Sequence, residues 1–324
     1  HALFLRKWGM NPIPGVEVSL ISPLSETTYT GMLPGFLAGH YRIDEIHIDL
    51  VKLCRFAGAR LLMASVEDIE ACRNLIHVKD RKPLHYDIAS VDIGVTSKLP
   101  YPLDSNKYAK TIKPLTDFIK EWEYFFSQVR QGLTQPNVAV IGGGVGAVEI
   151  AMAIAFAFKR VGLTDYTMSI IDRTKILSGI QPKSKNRLIA NLNELSISVI
   201  ERAVVSGINA RQVFFANRKP INSTFTVVSA GATPYEWLKL TDLPLKGGFI
   251  EVNDTLRVDP FKNLFAVGDC AHLSYNPRPK AGVFAVRQAP ILYANIKSNL
   301  LRTNAKKYIP QKHHLKLISL GKQS

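Results

Sequence analysis

The sequence alternates between short apolar runs and longer helical patterns, which predicts an α/β fold. An apolar, β-branched run covers residues 138–141, and helix-forming residues follow from 147 to 157. A second strand pattern, at residues 166–172, precedes a helical pattern near residues 183–195. Strands that alternate with helices in this way are typical of parallel sheets. Further predicted elements are a strand at residues 197–200, a hairpin layer at 204–216 and a strand at 225–229.

The amino-terminal part of the chain carries shorter elements and one long helix. Residues 2–8 predict a helix, residues 16–21 alternate like a strand, and residues 48–57 predict a helix that ends at a glycine. The helix that begins at Lys113-Pro114 has an apolar stripe, whose aromatic residues we assign to the core. A small hairpin layer is predicted from short strands at residues 59–62, 65–69, 75–78 and 85–92.

A Gly-rich turn joins the strand at residues 138–141 to the helix that follows. Gly142 permits a sharp turn, and Gly143 continues the glycine run. Gly144 lets backbone N–H groups approach a pyrophosphate without a Cβ in between, while Ala147 keeps the new helix close to the sheet. The helix N-terminus adds positive potential. The strand, turn and helix together predict a dinucleotide-binding site.

Asp172 ends the second strand, where an acidic group can reach an adenosine ribose. This position favours NADH as the dinucleotide. Arg173 follows directly and could instead meet the 2′-phosphate of NADPH, so both cofactors stay open. The alternative is that the two residues are ordinary charges at a strand end.

A second glycine and acid pair follows an apolar strand late in the chain. Gly268 permits close backbone approach, and Asp269 lies at the carboxyl end of the strand, where open α/β sheets bind ligands. The carboxylate could accept hydrogen bonds from a polyol chain or orient a phosphate-bound water. The alternative is that Asp269 caps the N-terminus of a helix, a role that would not conflict with ligand binding.

Composition limits the class of protein and its partners. With 324 residues and 46% hydrophobic content, the chain can form two domains. Apolar runs are too short to span a bilayer and the start lacks the pattern of a signal peptide, so we expect a cytoplasmic protein. The net charge of +15 suggests an anionic partner, either cofactor phosphates or an anionic membrane surface. Nucleic acid is not expected, because no binding motif occurs.

The basic excess is concentrated at the carboxyl terminus. From Lys297 onward the chain has lysines and arginines but no acidic residue. Such a segment could lie against anionic lipid on the inner face of a membrane. The alternative is a solvated terminal surface.

Cysteine use excludes two chemistries. Cys54, Cys72 and Cys270 are widely spaced and form no Cys-x-x-Cys pair. A redox-active dithiol and a zinc site both need closely paired thiols, so neither a disulfide reductase mechanism nor a metal site is expected. We predict that the three cysteines are small buried apolar residues.

The motifs together resemble those of the pyridine nucleotide-disulfide oxidoreductase superfamily. The resemblance is carried by residues 141–144 with Glu149, by residues 227–232 and by residues 265–270. Residues 22–41 and 279–288 are more specifically similar to the type II NADH dehydrogenase branch, in particular to the NADH dehydrogenase-like module associated with selenide, water dikinase. The resemblance extends over nearly the entire chain.

The resemblance implies two nested Rossmann-like dinucleotide-binding domains of three-layer ββα form. FAD is implied in a domain built from residues 1–109 and 255–303, and NAD(P)H in an inserted domain of residues 110–254. Residues 304–324 are expected to form a basic carboxyl-terminal segment. The implied activity passes a hydride from NAD(P)H to flavin and electrons on to a quinone or another acceptor, without a redox-active disulfide.

The resemblance also implies roles for individual residues. The set implied at the nicotinamide dinucleotide is Gly142, Gly143, Gly144 and Ala147 at the pyrophosphate, Asp172 at the ribose, Glu149 at the nicotinamide, and Gly231 at the domain junction. The set implied at FAD is Thr30, Gly31, Gly268, Asp269, Ala281 and Gly282.

The predicted catalytic set is Glu149, Lys280 and Gln288. Lys280 precedes a helix whose N-terminus is implied to point at the flavin, where positive potential stabilises the reduced anionic form. Gln288, on the same helix, is implied to face the acceptor. As a residue type, Lys280 could equally be a solvated charge.

Two departures from the family pattern leave an alternative open. The loop that would hold the FAD pyrophosphate would lie before His1, and Ser22 stands where many relatives have an acid. Either that loop lies upstream of the chain or FAD is held in another way. The alternative function is a non-catalytic nucleotide-sensing or partner-binding protein that retains one dinucleotide site.

Overall fold

A computed structural model describes residues 1–97, 107–229, 231–311 and 317–322 of the chain. The helices in this part are α1 (Ala2–Met10), α2 (Leu33–Leu37), α3 (Ile43–Ile46), α4 (Leu50–Ala57), α5 (Leu115–Arg130), α6 (Val145–Arg160), α7 (Pro182–Glu194) and α8 (Gly282–Leu300). The strands are β1 (Ser19–Ser22), β2 (Glu26–Thr28), β3 (His47–Asp49), β4 (Arg60–Met63), β5 (Val66–Glu70), β6 (Leu75–Val78), β7 (Leu84–His85), β8 (Ala89–Val91), β9 (Ala109–Thr111), β10 (Asn137–Ile141), β11 (Thr167–Ile171), β12 (Ile197–Ile200), β13 (Val205–Ile208), β14 (Gln212–Phe215), β15 (Ile221–Asn222), β16 (Phe225–Val228), β17 (Leu245–Lys246), β18 (Phe249–Val252), β19 (Leu264–Ala266) and β20 (Ala271–Leu273).

The chain forms two compact units. As far as the structure describes them, the first unit contains His1–Thr28, His47–Thr96 and Ala232–Leu315, and the second contains Tyr29–Ile46, Ser97–Gly231 and Lys316–Ser324.

The second unit is built on a five-stranded parallel sheet in the order β12-β11-β10-β16-β9. Successive side chains of β10 alternate between two cores, as the period of a strand requires. Val138 and Val140 pack among residues of α5, α6 and α7, while Ala139 and Ile141 pack on the antiparallel β13-β14-β15 layer. This three-layer arrangement confirms the predicted α/β fold. Ile141 is registered with both Ile171 and Val228, so three strands end at one edge of the sheet.

The first unit combines short parallel pairs with antiparallel layers. β1 pairs with β4 and β8 with β19 in parallel, while β5-β6-β7 form the predicted hairpin layer. α1 buries Phe4, Leu5 and Trp8 in a core shared with α4 and α8, and the Trp8 ring lies edge-on to Tyr293 at 6.3 Å. The apolar face of α1 therefore packs against α8.

Three predicted elements differ in the structure. Residues 60–63 are not part of the hairpin layer, because β4 pairs in parallel with β1. The predicted strand at 85–92 is two strands with different partners, since β7 pairs with β6 and β8 with β19. The predicted helix at 48–57 begins only at Leu50, after Asp49 accepts a hydrogen bond from the Lys52 N–H at 2.8 Å as its N-cap.

The two units differ in extent from the predicted domains. Tyr29–Ile46 lies in the second unit, because Leu33, Phe36 and Leu37 are buried in the core that contains α6. Ala232 and the residues that follow lie in the first unit, where β18 pairs with β20. The assignment of FAD and NAD(P)H to domains stays a prediction.

Among the described residues, no helix is both long and apolar enough to cross a bilayer.

The basic carboxyl-terminal segment is not solvated throughout. Tyr308 and Pro310 are buried in the first unit, and the Lys306 N–H donates to the Asn295 side chain at 2.7 Å. Leu317 is 83% exposed, but Gly321 is buried on α6 of the second unit.

Candidate functional site

The turn between β10 and α6 contains glycines with different structural roles. Gly142 has φ 124°, which only glycine adopts readily. A Cβ on Gly143 would lie 2.8 Å from Cγ2 of Ile176 and 2.9 Å from Oδ2 of Asp172. The neighbouring protein atoms therefore leave no room for a side chain at this position. Gly144 is exposed, and a Cβ there would meet no heavy atom within 4 Å. Gly144 therefore faces open space, as a ligand-approach position requires, and Ala147 is buried beneath it in α6.

Asp172 ties the end of β11 to this turn. Its Oδ2 accepts a hydrogen bond from the Gly143 N–H at 2.7 Å, and its Oδ1 accepts from the Thr174 N–H at 2.6 Å and the Thr174 hydroxyl at 2.7 Å. The carboxylate thus orders the turn, a role that the sequence analysis did not identify. An aspartate two residues before a threonine, as in Asp172 and Thr174, often forms a local turn. This spacing could have indicated the role of Asp172 in ordering the chain.

A second acid also supports the turn. The Ile176 N–H donates to Oε1 of Glu201 at 2.9 Å, and the Leu177 N–H donates to the Gly143 carbonyl at 2.7 Å. Glu201 follows β12 directly, at the edge where β10 and β11 also end. Glu201 was not among the residues predicted from sequence, although an acid at that strand end was a usable signal.

The N-terminus of α6 is open. Its N-cap is Gly144, and no side chain of the described residues caps it. The first N–H groups of a helix have no intrahelical acceptor and carry partial positive charge. The turn therefore offers donors and positive potential to an anion such as a pyrophosphate.

Glu149 lies one turn further along α6 and contacts the carboxyl-terminal segment. Its Oε1 accepts a hydrogen bond from the Ser319 N–H at 2.8 Å. Gly321 packs on the same helix, since a Cβ there would lie 2.7 Å from the Met152 carbonyl, and its own carbonyl lies 2.7 Å from Nε2 of His40. Burial raises the pKa of Glu149, and the Ser319 N–H offsets this in part.

The raised pKa predicts a pH-dependent stability that Glu149→Gln removes. The folded state holds the Glu149 proton more tightly than the unfolded chain, so this stabilisation is complete below the ordinary value of 4.5 and is lost as pH rises through the folded pKa. Glutamine still accepts from the Ser319 N–H but does not titrate. Urea unfolding at several pH values should show the wild type losing stability relative to Glu149→Gln as pH rises. Glu123→Gln, which removes an exposed carboxylate, controls for net charge. Parallel pH profiles for wild type and Glu149→Gln would contradict the prediction.

Gly231, Thr30 and Gly31 are also predicted to contact a dinucleotide. Gly231 has φ 73° and open space at its Cβ position. Thr30 and Gly31 form a short 3₁₀ turn, and a Cβ on Gly31 would lie 3.1 Å from the Tyr29 ring. The structure places these two residues in the second unit, outside the unit that contains Gly268 and Asp269. Their contact with a cofactor stays a prediction.

Gly268 and Asp269 lie in a 3₁₀ turn directly after β19 in the first unit. Gly268 has φ 70°, and a Cβ there would run into the carboxylate of Asp92. Asp269 is half-buried inside the turn, whose N-cap is Val267, so the helix-capping alternative for Asp269 is wrong.

Gln288 supports this turn from α8. It is only 2% exposed, and its Oε1 accepts a hydrogen bond from the Gly268 N–H at 2.6 Å. Its side-chain oxygen is therefore used in positioning Gly268, which the sequence analysis did not identify. Contact between Gln288 and an electron acceptor stays a prediction.

Lys280 is held by the protein just before α8. Its Nζ donates to the Ala271 carbonyl at 2.5 Å and lies 4.0 Å from the centre of the Phe249 ring. Burial lowers the pKa of Lys280. The alternative of a solvated charge is therefore wrong. Ala281 is the N-cap of α8 without a capping side chain, and Gly282 is exposed with open space at its Cβ position.

The cysteines only partly match their prediction. Cys54 and Cys270 are buried, but Cys72 is exposed in a short 3₁₀ turn where its N–H donates to Asp242 at 2.9 Å. All three are free thiols. Burial raises the pKa of Cys270 to about 12, which keeps this thiol protonated at neutral pH.

Within the part of the chain that the structure describes, one group of possible metal ligands occurs, on the hairpin layer. Asp68, Glu70 and His77 each offer a ligand atom within 4.8 Å of the others. Glu70 contacts His77 and accepts from Arg73 at 2.9 Å, and the hydrogen bond from His77 lowers the pKa of Glu70. Two of the three candidate ligands, Glu70 and His77, are therefore already engaged with each other.

Comparison with known proteins shows distant relatives. Ferroptosis suppressor protein 1 of Xenopus laevis is 24% identical over 203 residues, which are 57% of this chain and 51% of that protein. A probable NADH dehydrogenase of Dictyostelium discoideum is 22% identical over 321 residues, 89% of this chain and 69% of that protein. The crystal structure of the sulfide:quinone oxidoreductase from Aquifex aeolicus matches with a TM-score of 0.81 at 18% identity, over 98% of this chain and 79% of that one.

The match to a family model shows the family of the chain. The chain spans about half the length of several curated relatives that it matches. The family model described as pyridine nucleotide-disulphide oxidoreductase matches residues 60–289, from β4 to within α8. Because this match takes in well over half of the chain, including both glycine turns, the protein belongs to the pyridine nucleotide-disulphide oxidoreductase family.

Proposed function

We propose that this protein is an FAD-dependent NAD(P)H oxidoreductase that passes electrons to a quinone or another small acceptor. The observation that carries the proposal is the open turn at Gly144, which joins a parallel strand to an uncapped helix in a chain of this family. The relatives support the reaction, since one is named as an NADH dehydrogenase and one as a sulfide:quinone oxidoreductase.

The second unit would hold the nicotinamide dinucleotide. Gly144 leaves room for a pyrophosphate, and the first N–H groups of α6 would donate to it. Asp172 already holds the turn through the Gly143 N–H, and each carboxylate oxygen has more than one lone pair. The same carboxylate can therefore accept from a ribose hydroxyl while it orders the turn. This arrangement favours NADH.

The first unit would hold the flavin. Gly282 leaves open space at the start of α8, and no side chain of the described residues caps this helix. The residues present therefore fit a flavin, which the N-terminus of α8 would hold and whose negative charge it would stabilise. FAD, when bound, accepts a hydride from the nicotinamide and delivers two electrons to an acceptor.

Lys280 would stabilise negative charge at this place. The Ala271 carbonyl and the Phe249 ring hold its ammonium group in a half-buried position. A fixed charge in low dielectric acts more strongly than a solvated one. Gln288 would act through Gly268, whose N–H it holds, and Asp269 would contact the flavin from the same turn.

Visible absorption during an anaerobic NADH titration tests the proposal. The purified protein, loaded with FAD, should be yellow and should bleach as NADH is added. Addition of a short-chain quinone should then restore the colour. A colourless protein that FAD cannot reconstitute would contradict the proposal and favour the nucleotide-sensing alternative.

We further propose that the protein binds an anionic membrane surface and reduces its acceptor there. Leu301 is 52% exposed and Ile309 is 83% exposed, beside the exposed Lys306 and Lys307. Apolar side chains among lysines suit the boundary of an anionic bilayer. In the same titration, quinone carried in anionic vesicles should reoxidise the protein faster than quinone in neutral vesicles, and the advantage should shrink with salt. Equal rates in both vesicles would contradict this surface.

A further inference from the structure

A short carboxyl-terminal strap, residues 317–322, lies on α6 in the second unit. The residues of α6 that it contacts are Glu149, Met152 and Phe156. Their spacing of three and four residues places them on one face of the helix. The Ser319 N–H donates to Oε1 of Glu149 at 2.8 Å, and a Cβ on Gly321 would lie 2.7 Å from the Met152 carbonyl. The strap therefore covers the face of α6 that carries Glu149.

The strap supplies the hydrogen bond of Glu149. This residue is half-buried, and within the described part of the chain no donor other than the Ser319 N–H reaches its carboxylate. Gly144, one turn earlier on the same helix, is exposed and has open space at its Cβ position. The place proposed for the pyrophosphate is thus open, whereas the carboxylate predicted at the nicotinamide is covered by the chain itself.

The contacts that hold the strap are weak. Its described residues form no helix or strand, Leu317 is 83% exposed, and Ile318 packs against the core only in part. Away from α6 the strap meets the His40 ring and, through Lys322, the exposed carboxylate of Glu194 at 3.5 Å. Exposed ion pairs contribute little to stability, and segments that bury little apolar surface open most readily. These features suit a segment that leaves α6 while the rest of the unit stays folded.

We propose that the strap regulates the nucleotide site by covering Glu149, so that NADH and the docked strap exclude each other there. This inference rests on the proposed function and on the predicted place of Glu149 at the nicotinamide. The carboxamide of the nicotinamide carries N–H donors, as the backbone of Ser319 does, and its ring would need the space that the strap occupies. The docked strap would lower the affinity for NADH, and NADH would release the strap, because such coupling is reciprocal.

Fluorescence titration of the full chain with NADH tests this coupling through two substitutions in the strap. Ser319→Pro removes the N–H that Glu149 accepts. Gly321→Ala sets a Cβ against the Met152 carbonyl at a φ of 81°. Both variants should undock the strap and bind NADH about 10-fold more tightly than the wild type, which binds only in the fraction of molecules whose strap is released.

Gly162→Ala is the matched control. Gly162 has φ 78° in the same unit, and a Cβ there meets nothing within 4 Å. The variant adds similar backbone strain outside the residues that the strap contacts, so its affinity for NADH should equal that of the wild type. Equal or weaker binding by the two strap variants would overturn the inference and leave the proposed nucleotide site standing. If none of the four proteins bound NADH, both proposals would be wrong.

Amide hydrogen exchange adds a readout that does not depend on turnover. Saturating NADH should speed exchange in a wild-type peptide that contains residues 317–322, since the Ser319 N–H loses its acceptor when the strap is released. Unchanged or slower exchange would overturn the inference, because the bound nucleotide would then coexist with the docked strap.

Discussion

Gly144→Val is expected to weaken NADH binding by about 100-fold while leaving the fold intact. Valine side-chain atoms would fill the space that a pyrophosphate needs at the start of α6. The loss of two charge-assisted hydrogen bonds, at about 1.5 kcal/mol each, corresponds to about 100-fold in Kd. The fold should tolerate the change, because φ is −73° and ψ is 170° at this residue and a Cβ meets nothing within 4 Å.

Ala305→Val is the control for this prediction. It places the same valine side chain at an exposed position of the first unit, outside the unit that contains the turn. Fluorescence titration with NADH should give near wild-type affinity for this variant, and thermal unfolding should show both variants folded. Unchanged affinity in Gly144→Val would show that the nucleotide does not bind at this turn.

Gly268→Ala is expected to destabilise the protein by about 3 kcal/mol. An alanine at φ 70° costs about 1 kcal/mol relative to glycine. Its Cβ would also collide with the Asp92 carboxylate, and movement of the turn would break the hydrogen bond to buried Gln288. A buried polar group left without its partner adds about 1–3 kcal/mol.

Gly58→Ala separates backbone strain from the collision. Gly58 has φ 61° after α4 in the same unit, and a Cβ there meets nothing within 4 Å. Urea unfolding should therefore show a loss of only about 1 kcal/mol for this variant. Equal losses for Gly58→Ala and Gly268→Ala would mean that the contacts with Asp92 and Gln288 do not matter.

The elements of the second unit followed from sequence because their signals are local. The β-branched run at residues 138–141 and the helix formers after it became β10 and α6 with small shifts at their ends. The hairpin layer at 204–216 became β13 and β14. The parallel pairing of β4 with β1 was missed, since nothing in the four residues of β4 indicates a partner so distant along the chain.

The contacts of the candidate site were mostly beyond sequence reasoning. Motif spacing identified Gly144. It did not show that Ile176 and Asp172 fill the space where a side chain at Gly143 would lie. It singled out Gln288, but not its hydrogen bond to Gly268. A motif records which residue types occur at a spacing, whereas hydrogen-bond partners depend on the three-dimensional approach of distant segments.

By itself, the sequence determined the order of strands and helices from β10 to β14, the glycine turn after β10 and the lack of a Cys-x-x-Cys pair, because each depends on residues close together in the chain. Only the tertiary structure decided that Lys280 is held by the Ala271 carbonyl and the Phe249 ring, and that Glu149 meets Ser319. The burial and the charged surroundings of a side chain depend on which distant segment packs against it. The periodicity of residues along the chain does not say which segment that is.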